Sequence, residues 1–196
     1  MSAPIVALDL DGVLLDFEST WRRCAEWTLR RSVVAICDDY PLEDRFCLSR
    51  REIDRVWDAF HRDGWWERIS LYGDAWDTVE HLEDLGCSLW AVTNVDARHL
   101  HARAVSLEGI IPSGRIITLG PEATPAQRAN VLRDLGASAF LDDRSDHVNA
   151  ALPYVPISVL MHRGYRGMPE PEPGVTVIDD LRDFPVVLEN FLVAAA

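Results

Sequence analysis

The chain has 196 residues, of which 48% are hydrophobic and 26% charged, and its formal net charge at pH 7 is −13. This composition is typical of one globular domain, or of a core domain with a smaller insert, and it excludes collagen-like and wholly disordered chains. The strong negative charge disfavours nucleic acid as a partner, because nucleic-acid binding needs cationic side chains to neutralise phosphates. No apolar run approaches the roughly 20 residues of a membrane span, and residues 1–12 lack the basic region of a secretory signal. We therefore expect a cytoplasmic protein without a membrane partner.

All 19 basic side chains are arginines, and lysine is absent. This excludes a Walker-type P-loop, a Schiff base and any catalytic lysine. Arginine stays protonated, so it cannot replace lysine as a base or as an amine nucleophile. The four cysteines have no metal-ligand spacing with one another or with the histidines. Free thiols are expected, with one disulfide among the first three cysteines as the alternative.

Strand patterns alternate with helix patterns along most of the chain, which predicts an α/β fold with a mainly parallel sheet. The predicted strands are 5–8, 88–92, 115–119, 139–141, 157–161 and 175–178. Helices are predicted after Asp74 and after residue 180, and after the capping boxes that begin at Ser49 and Thr124.

Residues 17–72 do not fit this alternation. They contain no good strand pattern, one clear helix pattern after Ser49, and five of the seven tryptophans. We interpret them as a small helical insert after the first strand. The predicted domains are an α/β core of residues 1–16 and 73–196 and a helical insert of residues 17–72. A second apolar body beside the ends of a sheet would form a cleft.

Two aspartates directly follow the first predicted strand, in the sequence Asp9-Leu10-Asp11-Gly12-Val13. Ligands of open α/β sheets bind outside the carboxyl ends of the strands. A spacing of two in an extended chain places both carboxylates on the same side, and Gly12 allows a sharp turn. Paired carboxylates repel each other unless a cation or a proton joins them. Mg²⁺, a hard ion that prefers oxygen ligands and phosphate, is the predicted cofactor.

Polar residues also end two later strands. Thr93 and Asn94 follow the second strand, and Asp142 and Asp143 follow the fourth. A hydroxyl and free backbone N–H groups before a helix suit a phosphate oxygen. Each feature alone has a structural alternative, because aspartate after a strand is common turn chemistry. The ordered combination at three strand ends is much more specific.

This combination resembles the motifs of the haloacid-dehalogenase-like superfamily, and the resemblance covers the whole chain. The stretch from Asp9 to Val13 matches the first motif, Thr93 the second, and the pair Asp142-Asp143 the fourth. The resemblance implies a Rossmann-like parallel sheet flanked by helices. It also implies that the helical insert is the family's cap, placed between the first and second motifs.

The resemblance further implies catalytic roles. Asp9 would be the nucleophile that forms an aspartyl-phosphate. Asp11 would protonate the leaving oxygen and then act as the base for water. Thr93 and the backbone N–H of Asn94 would hold the phosphoryl group. Dehalogenases of the family lack the second aspartate, so the resemblance implies phosphotransfer on a small phosphate ester.

A metal site is implied in the same way. Mg²⁺ would lie among the Asp9 carboxylate, the Asp11 backbone carbonyl and Asp143, with Asp142 in the same acidic group.

The third motif departs from the family pattern. The family has a lysine here, whereas Arg128 stands at this place, in the helix that begins at the Thr124 capping box. Arg128 could give a fixed positive charge and a two-pronged donor to phosphate or to Asp9. The alternative is a solvent-facing helix residue. A second function hypothesis follows, in which the protein binds phosphate ligands with weak or no catalysis.

Within the superfamily, four stretches most resemble the 5′(3′)-deoxyribonucleotidases: residues 9–18, 43–46, 63–66 and 142–146. This resemblance implies a nucleoside monophosphate substrate, with Phe17 and Phe46 stacking on the base. The alternative is that both rings pack inside the helical insert. Residues 120–136 depart from this group, because a full helix replaces a shorter connection.

A phospho-receiver module is a third hypothesis, because receivers also use an acidic cluster, a threonine and Mg²⁺. Receivers normally require a lysine and have no helical insert. The sequence therefore favours a Mg²⁺-dependent phosphomonoester hydrolase.

Overall fold

A six-stranded parallel sheet forms the centre of the computed structural model, which describes residues 3–194. The strand order is β3-β2-β1-β4-β5-β6, and every neighbouring pair is parallel. Helices flank the sheet, so the predicted α/β class is confirmed. Residues 1–2 and 195–196 of the predicted core lie outside the described residues.

The strands occupy the positions that the sequence predicts. They are β1 (Ile5–Leu8), β2 (Ser88–Thr93), β3 (Ile116–Thr118), β4 (Ala139–Asp142), β5 (Ile157–Met161) and β6 (Thr176–Ile178). The helices are α1 (Phe17–Leu29), α2 (Leu42–Arg45), α3 (Arg50–Arg62), α4 (Ala75–Asp84), α5 (Leu100–Ser106), α6 (Pro125–Leu135), α7 (Ser145–Ala151) and α8 (Asp183–Ala194).

Both predicted capping boxes are formed. The Glu52 carboxylate accepts a hydrogen bond from the Ser49 backbone N–H at 3.0 Å, and the Thr124 hydroxyl accepts one from the Gln127 N–H at 3.2 Å. Asp74 occupies the N-cap position of α4 without a side-chain hydrogen bond to the helix, so it does not cap the helix in the predicted way.

The strand order reverses between β1 and β4, which lie side by side in the sheet. In open α/β sheets such a reversal opens a crevice at the carboxyl ends of the strands. Leu8 of β1 pairs with Ala91 of β2 and with Leu141 of β4. Residues that directly follow these positions therefore meet at one edge of the sheet.

The helical insert, residues 17–72, folds into α1, α2, α3 and a 3₁₀ turn at Trp66–Arg68, and this described segment contains no β-strand. An isolated antiparallel bridge joins Leu15 and Leu71, where the chain leaves the core and returns to it. Phe60 and Trp66 pack edge to face, with ring centroids 4.9 Å apart. The apolar cluster of the insert is continuous with that of the sheet.

Cys24, Cys37, Cys47 and Cys87 are not paired with one another. None of the described helices is long and apolar enough to cross a membrane.

We expect Phe60→Ala to lower the free energy of unfolding by about 3–5 kcal/mol, because the ring is fully buried between α1, α3 and the 3₁₀ turn. Trp76→Ala is the matched control, since this ring on α4 is 50% exposed; a change within about 0.5 kcal/mol is expected. Urea denaturation measures both values. Equal losses would contradict the packing described here.

Candidate active site

A cavity of about 510 Å³ lies between the carboxyl edge of the sheet and the helical insert. The predicted site residues that line it are Asp9, Asp11, Phe17, Thr93, Asn94, Arg128 and Asp143. They come from three strand ends, from α6 and from the start of α1. The fold thus brings together residues that are up to 134 positions apart in the sequence.

Asp9 directly follows β1 and is 7% exposed. Its Oδ1 atom accepts a hydrogen bond from Arg128 Nη1 at 2.9 Å. Burial raises the pKa of Asp9 to about 6, and the charges of Asp142 and Asp11 also raise it, although Arg128 opposes the shift. The carboxylate is held on one oxygen and faces the cavity with the other.

Arg128 is 1% exposed, which rules out the alternative of a solvent-facing residue. Its Nη1 atom lies 2.8 Å from the carbonyl oxygen of Val92, 2.9 Å from Asp9 and 2.8 Å from Asp142, and Nη2 donates to Asn94 Oδ1 at 2.8 Å. The capping box fixes where α6 begins and hence which face carries Arg128. One guanidinium therefore joins the ends of β1, β2 and β4.

The Asn94 side chain has a positioning role in this network. Its amide oxygen accepts from Arg128, and its Nδ2 donates to the carbonyl of Ala123 at 2.9 Å. Asn94 thus ties the end of β2 to the loop before α6. Thr93, the last residue of β2, is buried beside it at the cavity.

Asp142 is saturated by protein donors. Its Oδ2 faces Arg128 Nη1 and His147 Nδ1 at 2.8 and 3.0 Å, and its Oδ1 accepts from the Arg144 backbone N–H at 2.9 Å. Burial raises the pKa of Asp142, but His147 and Arg128 outweigh it and lower the pKa to about 2. The predicted metal role suits Asp142 poorly, because neither oxygen is left without a protein donor.

Asp143 lies at the cavity with one protein donor, the Tyr165 hydroxyl, at 2.9 Å from Oδ2. Burial raises the pKa of Asp143 well above its usual value, and the charges of Asp142 and Asp9 add to the shift. Gly12 has φ +84°, and a Cβ atom there would lie 1.9 Å from Asp143 Oδ2. Glycine is needed here for both the backbone conformation and the space around this carboxylate.

The donor set fits a divalent cation. Ligand atoms of Asp9, Asp142 and Asp143 lie within 4.8 Å of one another. Burial, together with the neighbouring carboxylates, raises the pKa values of Asp9 and Asp143, so a bound cation would stabilise both in their charged form. Oxygen ligands of this kind suit Mg²⁺. Asp9 and Asp143 are the carboxylates that could hold it.

Asp11 has a buried partner that the sequence does not reveal. Arg103 on α5 is fully buried and donates from Nη2 to Asp11 Oδ1 at 2.6 Å. Its guanidinium lies 5.4 Å from the centroid of the Trp66 ring. Asp11 is therefore held from the side where the helical insert meets the core.

The two predicted base-contacting rings have different positions. Phe17 lines the cavity beside Trp57 and Trp66. Phe46 does not: it is 3% exposed and stacks on Trp21, with centroids 5.6 Å apart. Phe46 therefore packs inside the helical insert, as the alternative to base stacking predicts, because α2 turns its ring toward α1.

Several residues in or beside the cavity carried no sequence motif. His147 and Tyr165 contact the two aspartates of the fourth motif, and Arg103 contacts Asp11. His147 follows the end of β4 by five residues, and a histidine at this spacing is only a weak sequence signal for a functional residue. Asp146 pairs with Arg144 at 2.7 Å, and its Oδ1 accepts a hydrogen bond from the His147 backbone N–H in the first turn of α7 at 3.1 Å.

Comparison with solved structures places this geometry in a known fold. A haloacid dehalogenase-like family hydrolase from Xanthomonas campestris has TM-score 0.63 and 16% identity, over 99% of this chain and 98% of that chain. A predicted phosphoglycolate phosphatase from Haemophilus somnus has TM-score 0.64 and 18% identity, over 96% and 99%. A hydrolase of the same superfamily from Deinococcus radiodurans, solved with phosphate and sodium, has TM-score 0.63 and 16% identity, over 96% of each chain.

The chain has the fold of the haloacid-dehalogenase-like hydrolases. No family model matches the sequence, and a search of curated proteins finds no match. At this level of identity the similarity concerns the fold.

We expect Gly12→Ala to lower stability by about 1–3 kcal/mol more than Gly86→Ala does, because only the first substitution drives a Cβ atom into a neighbour. Both glycines have positive φ, and Gly86 has nothing within 4 Å of its Cβ position. The control therefore reports backbone strain alone, worth about 1–2 kcal/mol. Thermal unfolding compares the two, and equal losses would mean that Asp143 moves aside freely.

Arg128→Met is expected to cost about 3–5 kcal/mol of stability, because it leaves buried Asp9 and Asp142 without their cation. Arg128→Lys should cost much less, since an ammonium can also face three acceptors around one nitrogen. Arg133→Met, on the exposed face of α6, is the control and should change stability by less than about 1 kcal/mol. A small loss in Arg128→Met, measured by urea denaturation, would refute the network.

Proposed function

We propose that the protein is a Mg²⁺-dependent phosphomonoester hydrolase that acts through an aspartyl-phosphate on small phosphate esters, nucleoside monophosphates among them. The observation that carries this proposal is Asp9: a buried carboxylate held on one oxygen by Arg128 and open to the cavity on the other. Phosphoryl transfer depends mainly on positioning and charge neutralisation, and this site supplies both.

The reaction has two steps. An Asp9 oxygen attacks phosphorus, the bond from phosphorus to the ester oxygen breaks, and Asp11 gives its proton to the departing alcohol. Asp11 then takes a proton from water, whose oxygen attacks the phosphorus of the aspartyl-phosphate. The bond to Asp9 breaks, which releases inorganic phosphate and restores the Asp9 carboxylate and the protonated Asp11. Asp9, Asp143 and the Asp11 backbone carbonyl would hold Mg²⁺. The bound ion would neutralise negative charge on the phosphoryl oxygens.

Arg128 supports this chemistry with the positive charge that the family places on a lysine. Its Nη1 lies among Asp9, Asp142 and the Val92 carbonyl, so it orients the nucleophile. A guanidinium at this place gives a fixed positive charge. This favours the hypothesis of an active enzyme over that of an inactive binding protein.

Thr93 and Asn94 are the proposed contacts for the phosphoryl group, at the end of the strand next to β1. Arg103 would keep Asp11 in place for proton transfer. The substrate's leaving group would extend toward the helical insert, where Phe17, Trp57 and Trp66 offer aromatic surface to a base. Closure of the insert over the substrate would exclude water.

The first experiment measures phosphate release, with Mg²⁺ or with EDTA, from nucleoside monophosphates, sugar phosphates and p-nitrophenyl phosphate. Release that requires Mg²⁺ is expected, and Asp9→Asn should reduce it by about 10³-fold or more while the fold is retained. Asp134→Asn, an exposed aspartate on α6, is the control and should keep wild-type turnover.

Metal binding has a readout besides turnover. Mg²⁺ at 100 times its Kd should raise the free energy of unfolding by about 2.7 kcal/mol, and Asp143→Asn should abolish the gain. Turnover that is unaffected by EDTA would overturn the metal assignment. A folded protein that releases no phosphate but binds the esters would favour the binding-protein alternative.

A further inference from the structure

The arginines that line the cavity differ in how their charge is balanced. Three are paired with carboxylates: Arg45 with Glu18, Arg128 with Asp9 and Asp142, and Arg144 with Asp146. Arg163, in the loop after β5, also lines the cavity. Within residues 3–194 it forms no ion pair, so its charge is not balanced by a direct partner.

Arg163 is nevertheless held in place. Its Nε donates to the carbonyl oxygen of Gly12 at 2.7 Å, and its guanidinium lies 4.4 Å from the centroid of the Tyr72 ring. These two contacts fix one edge and one face of the group. Among the described residues, Nη1 and Nη2 have no hydrogen-bond acceptor, so this pair of parallel donors is free to bind a ligand in the cavity that Arg163 lines.

A fixed guanidinium with two free donors matches a carboxylate or a phosphate, which can accept both hydrogen bonds at once. Two other lining residues, Asp38 and Glu43, carry negative charge that would repel such a group. The charge pattern therefore offers an anion one favourable position away from the nucleophile.

That position is separate from the site of the transferred phosphoryl group. Thr93 and Arg128 approach Asp9 from β2 and α6, whereas Arg163 follows β5, which is two strands from β1 on the other side. The Arg163 side chain reaches back from β5 to the Gly12 carbonyl, so its free donors lie beside the Asp11-Gly12 turn, on the opposite side of Asp9 from Thr93 and Arg128. Tyr72 lies where the chain returns from the helical insert, toward which the leaving group would extend.

We propose that Arg163 binds a second anionic group, a carboxylate or a phosphate, on the leaving group of the substrate. This rests on the proposed phosphatase function and narrows it, away from simple nucleoside monophosphates, to esters whose alcohol carries its own negative charge, such as phosphorylated hydroxy acids or bisphosphates. The cavity of about 510 Å³ is within the range of about 300–1,000 Å³ typical of small-molecule sites. It has room for both groups.

The test uses three phosphonates that cannot be hydrolysed: propylphosphonate, 3-phosphonopropionate and ethane-1,2-diphosphonate. They share a two-carbon link and differ in ending with a methyl, a carboxylate or a second phosphonate. Binding is followed by tryptophan fluorescence, because Trp57 and Trp66 line the cavity, and by calorimetry. The wild-type protein should bind one or both of the two-anion probes about tenfold more tightly than propylphosphonate.

Arg163→Gln should remove that preference and leave propylphosphonate binding unchanged. Arg166→Gln is the control in the same loop, since Arg166 is exposed and paired with Asp39; it should keep the preference. Tyr72→Leu, which removes the ring beside the guanidinium, should give an intermediate loss and serves as the second variant if Arg163→Gln does not fold.

The proposal is overturned if the wild-type protein prefers neither two-anion probe, or if the preference survives in Arg163→Gln. It is also overturned if Arg163→Gln weakens all three probes equally, which would place Arg163 at the transferred group or in the fold. Because the probes need no turnover, a protein that shows the preference but hydrolyses no ester would retain this site and lose the proposed phosphatase function.

Discussion

The buried ion pairs of Arg128 connect the parts of this site. A guanidinium that is 1% exposed contacts Asp9 after β1, the Val92 carbonyl of β2 and Asp142 of β4. Removing one partner of a buried ion pair leaves a charge without compensation, at a cost of about 3–5 kcal/mol. The strand ends, the start of α6 and the proposed nucleophile Asp9 therefore depend on the same group.

The charges around Arg128 separate the aspartates into two kinds. Asp142 is surrounded by donors, and its pKa falls to about 2, so it serves as a permanent counter-ion. Asp9 and Asp143 are buried with fewer donors, and their pKa values rise. These are the carboxylates that gain most from a cation or from a phosphoryl group. Identical side chains thus acquire different chemistry from their surroundings.

The helical insert completes the cavity and also restrains the turn that contains Asp11 and Gly12. Trp66 packs on Arg103, which binds Asp11, and Tyr72 packs on Arg163, which binds the Gly12 carbonyl. Two arginines therefore connect the insert to the Asp11-Gly12 turn, one on each side. A shift of the insert would change the position of this turn. Closure of the insert over a substrate would therefore also move Asp11, the proposed acid.

The sequence by itself determined the sheet, the insert and most of the candidate site. Apolar runs that end in aspartate or threonine predicted β1, β2 and β4, and the parallel arrangement then requires Asp9, Thr93 and Asp143 to meet at one edge. Capping boxes fixed α3 and α6, because their signals are local and lie within four residues. These features depend on patterns among residues that are close together in the chain, so a single sequence is enough to predict them.

Only the tertiary structure decided which distant charges meet. Arg128 could have faced solvent, and nothing in the local sequence of Arg103 or Arg163 distinguishes them from the exposed arginines. Phe46 turned into the packing of the insert, while Phe17 reached the cavity. Asp142 and Asp143 are adjacent in sequence, yet one is saturated by donors and the other is not. Ion pairs and hydrogen bonds join residues up to 151 positions apart, as with the hydrogen bond from Arg163 to Gly12, so these contacts follow from packing and not from local pattern.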